Sequence, residues 1–185
     1  MIGIPVGWAY SNMLEWVIHK HVLHRIGKKR GSFWSFHFYD HHRLSRTNQF
    51  RDPDYEGSVF QWNGQGKEAL ALTLSTLTHL PLLPVAPFFT VTVFYSSVRY
   101  YRLHKKAHLE PEWGREHLPW HYDHHMAPNQ DANWCVTHPW FDEIMGTRVP
   151  YKDTPQEQRD LERRRKRREQ RRQKQRERRE YRKAS

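Results

Sequence analysis

The chain has 185 residues, enough for one domain of ordinary size, and a formal net charge of +11. Its single cysteine, Cys135, excludes an internal disulfide framework and a zinc ribbon built on cysteines. We interpret Cys135 as a small buried apolar side chain.

The positive charge is concentrated at the C-terminal end of the chain. Residues 151–185 contain 16 Lys and Arg against 7 Asp and Glu, so they carry +9 of the total of +11. Residues 1–150 therefore carry +2 and hold nearly all of the aromatic residues. This distribution predicts a compact body over residues 1–150 and a polybasic tail over residues 151–185.

The chain begins with an apolar stretch, MIGIPVGWAYSNMLEWVI, which ends at Ile18 and contains one charged residue, Glu15. It has neither a basic leading region nor a cleavage site of small residues, so it lacks the pattern of a secretory signal peptide. We expect a membrane segment near residues 1–18.

Histidines occur in four short clusters, two before and two after a second apolar stretch. They read HKHVLH, HFYDHH, HKKAH and HYDHH, and they begin at His19, His37, His104 and His121. Neutral imidazole is the commonest protein metal ligand, and nitrogen ligands suit zinc, copper, iron or nickel. A mononuclear zinc enzyme uses about three protein ligands. Ten candidates, which leave out His21 inside the first cluster, are too many for one ion and indicate two.

Three carboxylates lie beside these clusters in the sequence. Asp40 and Asp123 each precede a pair of adjacent histidines, and Glu15 lies one helical turn before His19. A carboxylate that accepts from a ligating ring orients that ring. We therefore expect these residues to orient ligands, with a capping or surface carboxylate as the alternative for Glu15.

The second apolar stretch runs from Ala69 to Tyr101 and has no charge before Arg99. A spanning helix needs about 20 apolar residues, so the stretch suffices for one span or for two short re-entrant helices. Pro81, Pro84 and Pro87 would break a helix near its middle. We expect a hairpin of two helices that enters the bilayer and returns. The alternative is a pair of buried helices in a soluble domain.

The four clusters and the hairpin resemble the fatty acid hydroxylase and sterol desaturase superfamily, integral-membrane enzymes with two irons. That family has H-x(3,4)-H, H-x(2,3)-HH, a hairpin, H-x3-H and H-x2-HH, and this chain has all of them in order. The segment NWCVTHPWFDEIMGT is similar to the family's closing segment. Asn133, Asp142, Gly146 and Thr147 match it, and Cys135 stands where glycine is usual. The resemblance covers residues 8 to 150.

The resemblance implies an all-α fold: a membrane-embedded helical bundle with a cytosolic histidine-rich catalytic cap and a C-terminal basic helix. It implies two iron ions, with O2 as co-substrate, that hydroxylate or desaturate a lipid such as a fatty acyl chain, a sphingolipid or a sterol. The iron ligands that it implies are His19, His24, His37, His41, His42, His104, His108, His121, His124 and His125.

The sequence has no haem, flavin or dinucleotide fingerprint, so electrons are expected from an external donor: a ferredoxin, a cytochrome b5-type protein or a reductase. Because the chain begins close to the first cluster, we expect a truncated membrane anchor or a homo-oligomer. Two alternatives remain, a carotenoid (β-ring) hydroxylase-like enzyme and a non-catalytic metal-binding membrane protein.

The segment from Gln156 to Lys183 contains no Gly or Pro and is predicted to be helical. Leu161 and Tyr181 are its only large apolar residues, which excludes a coiled-coil seam. We interpret it as a solvated basic arm or as a segment attracted to anionic lipid on the cytoplasmic face. The positive-inside rule then places the histidine clusters in the cytoplasm. A nucleic-acid arm agrees with the charge but does not account for the histidines.

Overall fold

The fold is built from helices and connecting turns. The computed structural model describes residues 1–184, and this part of the chain contains no β-strand. The predicted all-α class is confirmed. The chain divides into two compact units, residues 1–150 and residues 151–185.

The N-terminal helix α1 (Gly3–Val17) continues without a break into a π-helix (Ile18–Ile26). It packs closely along helix α4 (Pro87–Leu109), because glycines lie at the crossing. A Cβ atom on Gly7 would come within 2.8 Å of the Thr92 Cβ. This close contact fixes the position of α1, and with it the position of the first histidine cluster.

The second cluster lies on a short π-helix (His37–His41), which continues into α2 (His42–Thr47). A 3-10 turn (Pro53–Glu56) follows and leads to α3 (Gly64–Leu77). The side chain of Asn63 caps α3 by accepting from the amide of Gly66 at 3.0 Å.

The second apolar stretch forms a helical hairpin. Helix α3 ends at Leu77, a 3-10 turn spans Leu80–Leu82, and α4 begins at Pro87, so the chain reverses at the three prolines. Within residues 1–184, no helix combines the length and the hydropathy needed to cross a membrane.

The reversal of the hairpin and the start of α1 leave many apolar side chains uncovered, and we call this surface the apolar tip. Val85 is 78% exposed and Phe88 is 52% exposed. The other large apolar residues exposed on these segments are Met1, Ile2, Ile4, Val6, Leu74, Leu77, Leu80, Leu82, Leu83 and Val91.

After α4 come α5 (Pro111–His117) and α6 (Pro119–Met126), followed by the short α7 (Trp140–Ile144). The carboxylate of Asp142 accepts from the amides of Trp134 and Cys135, each at 2.8 Å, and from the hydroxyl of Thr147 at 2.7 Å. Gly146 has φ +63°, a conformation that favours glycine. The closing segment is therefore a hydrogen-bonded corner, and within it Cys135 is fully buried, as predicted.

The second unit consists mainly of α8 (Pro155–Ala184), which confirms the predicted helix. The hydroxyl of Thr154 accepts from the amide of Glu157 at 3.2 Å, and the carboxylate of Glu157 accepts from the amide of Asp153 at 2.6 Å. These reciprocal bonds stabilise the start of the helix in the manner of a capping box.

Candidate metal centre

Ten histidines from four segments far apart in sequence lie buried in one region, and no ring is more than 3% exposed. They are the ten histidines of the predicted ligand set: His19, His24, His37, His41, His42, His104, His108, His121, His124 and His125. Burying a polar ring without a hydrogen bond or a metal ion costs free energy. The nitrogens of ten buried rings therefore need partners.

The rings form two adjoining groups. The first group contains five histidines and the second contains four, and within each group the candidate ligand atoms lie within 4.8 Å of one another. The first group is His19, His24, His37, His42 and His124; the second group is His41, His104, His108 and His125. His121 lies beside the second group, with its Nε2 at 3.0 Å from the Nε2 of His108.

The type of helix explains which histidine joins which group. His19 and His24 are five residues apart on π-helical backbone, and His42 donates its amide to the carbonyl of His37 in a π-type bond. A π-helix places residues five apart on one face, so both pairs enter the first group. The histidines of α4 are four apart and share a face of an α-helix. They enter the second group.

Adjacent histidines are divided between the groups. His41 and His42 belong to different groups, and so do His124 and His125, because consecutive side chains on a helix point about 100° apart. The rings of His42 and His125 have centroids 4.3 Å apart, so the two groups adjoin at these pairs.

Steps of three and four residues predict one stripe of rings over His117 to His125 and a shared face for His37 and His41 on α-helices. The predicted stripe is wrong in two respects. The chain breaks at Leu118, where Pro119 begins a new helix, so His117 stays on α5. There it is exposed and stacks on Trp113, at 4.8 Å between centroids. On α6, His124 joins the first group whereas His125 joins the second. The pairing of His37 with His41 by their four-residue step is wrong for the same reason, because π-helical backbone pairs His37 with His42.

The remaining histidines lie outside both groups. His21 is exposed, and the Nε2 of His79 forms a hydrogen bond with the hydroxyl of Tyr10 at 2.9 Å. His138 contacts Arg99 and stacks on Trp140, at 4.3 Å between centroids.

Several of the buried rings are held by backbone carbonyls. The Nδ1 of His19 contacts the carbonyl oxygen of Trp134 at 2.5 Å, and the Nδ1 atoms of His108 and His124 contact carbonyl oxygens at 2.7 Å. A carbonyl oxygen only accepts, so each of these Nδ1 atoms carries the ring proton. The Nε2 atom of the neutral ring then presents a lone pair toward the centre.

Two carboxylates that sequence reasoning missed hold further rings. The Nδ1 of His41 donates to Asp52 at 2.6 Å, and the Nδ1 of His104 donates to Glu68. Tyr55 donates its hydroxyl to the other carboxylate oxygen of Glu68 at 2.6 Å. Neither carboxylate follows a spacing rule relative to its histidine, so only the folded chain brings them together.

The carboxylates predicted for this role face elsewhere. Asp40 is half-exposed and pairs with Arg43 at 3.7 Å, and buried Asp123 pairs with Arg148 at 2.8 Å. Glu15 accepts from the amides of Val136 and Thr137 at 3.0 and 2.9 Å. For Asp40 and Asp123 the prediction failed because a residue next to a ligand in sequence points away from it on a helix. Glu15 fastens α1 to the loop after α6.

The ring nitrogens that converge inside the two groups are arranged to bind cations. The Nε2 atoms of His19 and His37 are 2.9 Å apart, and the Nε2 of His42 lies 3.1 Å from those of His24 and His124. In the second group, the Nε2 atoms of His41, His104 and His125 find no partner within residues 1–184. Converging lone pairs repel one another, and buried nitrogens without partners are rare in native proteins. Metal ions would satisfy both sets.

Burial keeps the following eight rings neutral and able to bind metal. Loss of hydration lowers the pKa of His124 to about 4 and the pKa values of His19, His37 and His42 well below the ordinary range. Burial acts in the same direction on His104, His108, His121 and His125. Unprotonated imidazole is the form that binds metal.

A cavity of about 250 Å³ reaches the first group between α1, α3 and α4. His19 and His37 line it together with apolar side chains that include Leu14, Ile18 and Leu72. An apolar ligand in this cavity would lie with one end beside the candidate metal ligands.

Comparison of the chain with models of protein families, with curated proteins and with solved structures found no match. The buried histidine groups are suited to hold metal ions. Their imidazole donors are compatible with zinc, copper, iron or nickel.

Proposed function

We propose that this chain is a membrane-bound non-haem di-iron oxygenase, of the fatty acid hydroxylase and sterol desaturase type, that hydroxylates or desaturates a lipid. The observation that carries the proposal is the convergence of nine buried imidazoles in two adjoining groups, with the tenth, His121, beside the second group and an apolar cavity against the first. The order and spacing of the four histidine clusters support the same assignment.

The first group would hold one iron ion, and the second group together with His121 would hold the other. No amino-acid side chain attacks an unactivated C–H bond, so the bound irons would supply the chemistry by which O2 oxidises it. In hydroxylation, one oxygen atom of O2 enters the C–H bond and the other leaves as water. The two electrons and two protons that this requires come from an external donor.

The protein's own residues prepare the site for that reaction. Asp52, Glu68 and the backbone carbonyls fix the tautomer and orientation of the ligating rings. The cavity walls exclude water and direct one region of the lipid toward His19 and His37. Its lining, which is largely apolar and includes the candidate ligands His19 and His37, favours an enzyme over a protein that only stores metal.

The apolar tip supports attachment to a membrane. Its exposed side chains belong to the start of α1 and to the hairpin reversal, and residues 69–98 contain no charge. A contiguous apolar surface of this kind is typical of a membrane or protein contact. We propose that the tip enters the bilayer and that lipid reaches the cavity from there, with the centre on the cytoplasmic face.

The decisive experiment measures metal and turnover on the same detergent-purified protein. We expect about two irons per chain and, with an electron donor and ¹⁸O2, incorporation of one ¹⁸O atom into a lipid from a membrane extract. His117→Ala, which changes an exposed ring outside both groups, should behave as the wild type. One loosely bound zinc with no lipid oxidation would instead indicate a non-catalytic metal-binding protein.

A further inference from the structure

Ser11, Ser75 and Ser96, on three different helices, line the apolar cavity at one level. We propose that this level binds an oxygen atom of the substrate. The substrate class would then be lipids that carry a hydroxyl or carbonyl group, rather than pure hydrocarbons. The inference rests on the proposed function, because it specifies which lipid the oxygenase accepts.

The three serines lie at one height above the metal centre. Ser11 precedes His19 by eight residues, Ser96 precedes His104 by eight, and Ser75 follows Glu68 by seven. Since an α-helix rises 1.5 Å per residue, each serine lies about 10–12 Å along its helix from the ligand level.

Contacts between the helices place the serines at the same height. The ring of His79 contacts the hydroxyl of Tyr10 on α1 at 2.9 Å and the carbonyl of Ser75 on α3 at 3.0 Å. Thr76 on α3 donates to Ser97 on α4 at 2.7 Å. Residues 10–11, 75–76 and 96–97 are therefore level with one another.

The hydrogen bonds at this level are incomplete. The Oγ of Ser11 is buried and has no partner within the described chain. Ser97, on the same wall, differs because its hydroxyl donates to the carbonyl of Val93 at 3.1 Å and accepts from Thr76. A buried hydroxyl without a partner is costly, and a ligand oxygen would satisfy Ser11.

The other polar groups that line the cavity are already engaged. Glu15 accepts from Val136 and Thr137, and Glu68 accepts from Tyr55. Between the serine level and the histidines the walls are largely apolar, with Leu14, Ile18 and Leu72. Binding sites of this composition use a few polar groups to fix a ligand's orientation. The serine level would therefore set which carbon faces the metal centre.

The test compares binding of tritiated 1-dodecanol and dodecane to the zinc-loaded full chain, in which oxidation cannot occur. The measured quantity is the ratio of the two affinities. One added hydrogen bond corresponds to about a threefold to tenfold change in this ratio. We expect Ser11→Ala to lower the ratio by that factor, and Ser75→Ala and Ser96→Ala to lower it less. Ser97→Ala, whose hydroxyl is already bonded, should keep the wild-type ratio.

An unchanged ratio in all three variants would overturn the inference, and so would a ratio that falls equally in Ser97→Ala. If Ser11→Ala does not fold, the double variant of Ser75 and Ser96 provides the same comparison. Iron-loaded protein that binds dodecanol in a serine-dependent way but, with O2 and an electron donor supplied, oxidises neither compound nor any lipid of a membrane extract would contradict the oxygenase and still support recognition of the oxygen.

Discussion

At the scale of single residues, the carboxylates behind the histidines determine how firmly metal is held. Asp52 and Glu68 each accept from the outer nitrogen of a buried ring. Removing such a partner typically costs about 10–100-fold in metal affinity or activity. We expect that loss in Asp52→Asn and Glu68→Gln, measured by competition with a chelator. Asp40→Asn is the matched control, and an equal loss in this half-exposed residue would contradict the assignment.

Protonation of His124, and of the other rings whose pKa burial lowers, predicts a pH dependence for the metal-free protein. Burial lowers the pKa of His124 to about 4, whereas an unfolded histidine titrates near 6.5. Between pH 6.5 and pH 4 the ring binds a proton in the unfolded chain but not in the folded protein. The free energy of unfolding therefore decreases as the pH falls. Each such ring contributes about 1.4 kcal/mol per pH unit in this window.

The measurement is urea unfolding of chelator-treated protein between pH 7 and pH 4. We expect the free energy of unfolding to fall across this interval, and metal-loaded protein to resist the fall because protons must displace the ions. Stability that stays constant without metal would show that the rings are not buried as neutral imidazoles.

At the scale of elements, the crossing of α1 and α4 positions the first histidine group. A side chain at Gly7 would strike Thr92. Gly7→Leu should therefore destabilise the fold by about 1–3 kcal/mol, the usual cost of overpacking. It should also weaken metal binding by the group that contains His19. Ala9→Leu places the same side chain on the exposed face of α1. If thermal unfolding and metal content show equal effects in both variants, the crossing does not position the group.

Local patterns in the sequence identify most elements of the site but not how they assemble. Pro81, Pro84 and Pro87 predict the reversal of the hairpin because proline acts on its own backbone. The histidine clusters are recognisable for a similar reason, since ligands one helical turn apart are close in sequence. Asp52 and Glu68 lie 11 and 36 residues from the rings that they hold. Their proximity arises only from folding, so no spacing indicates it.

The division of the rings between two groups depends on the type of helix. A five-residue step pairs His19 with His24 only on π-helical backbone, and π-helices are rare enough that sequence patterns are normally interpreted with α-helical spacing. A different cause separates His117 from its expected stripe, because α5 ends at this residue and α6 begins at Pro119. α-Helical periodicity therefore could not predict which histidines belong to which group.

At the scale of the whole molecule, the two units should separate functionally. Helix α8 is strongly basic and exposed along most of its length. Deleting residues 156–185 should leave the metal content unchanged and weaken binding to vesicles that contain phosphatidylserine. High salt should weaken the binding of the intact chain, since the Debye length is about 8 Å at physiological salt. Vesicles of phosphatidylcholine alone provide the control, and loss of metal on deletion would contradict this separation.

The central claim is that the two histidine groups hold two metal ions that can be removed separately. Metal content per chain, measured on iron-loaded protein by elemental analysis, tests this directly. We predict about two irons for the wild type and for His21→Ala, whose ring is exposed. We predict about one for His24→Ala in the first group and for His104→Ala in the second, and less than one when both are changed. A wild-type chain that holds one iron or none, or a His21→Ala variant that loses as much metal as His24→Ala, would contradict the account.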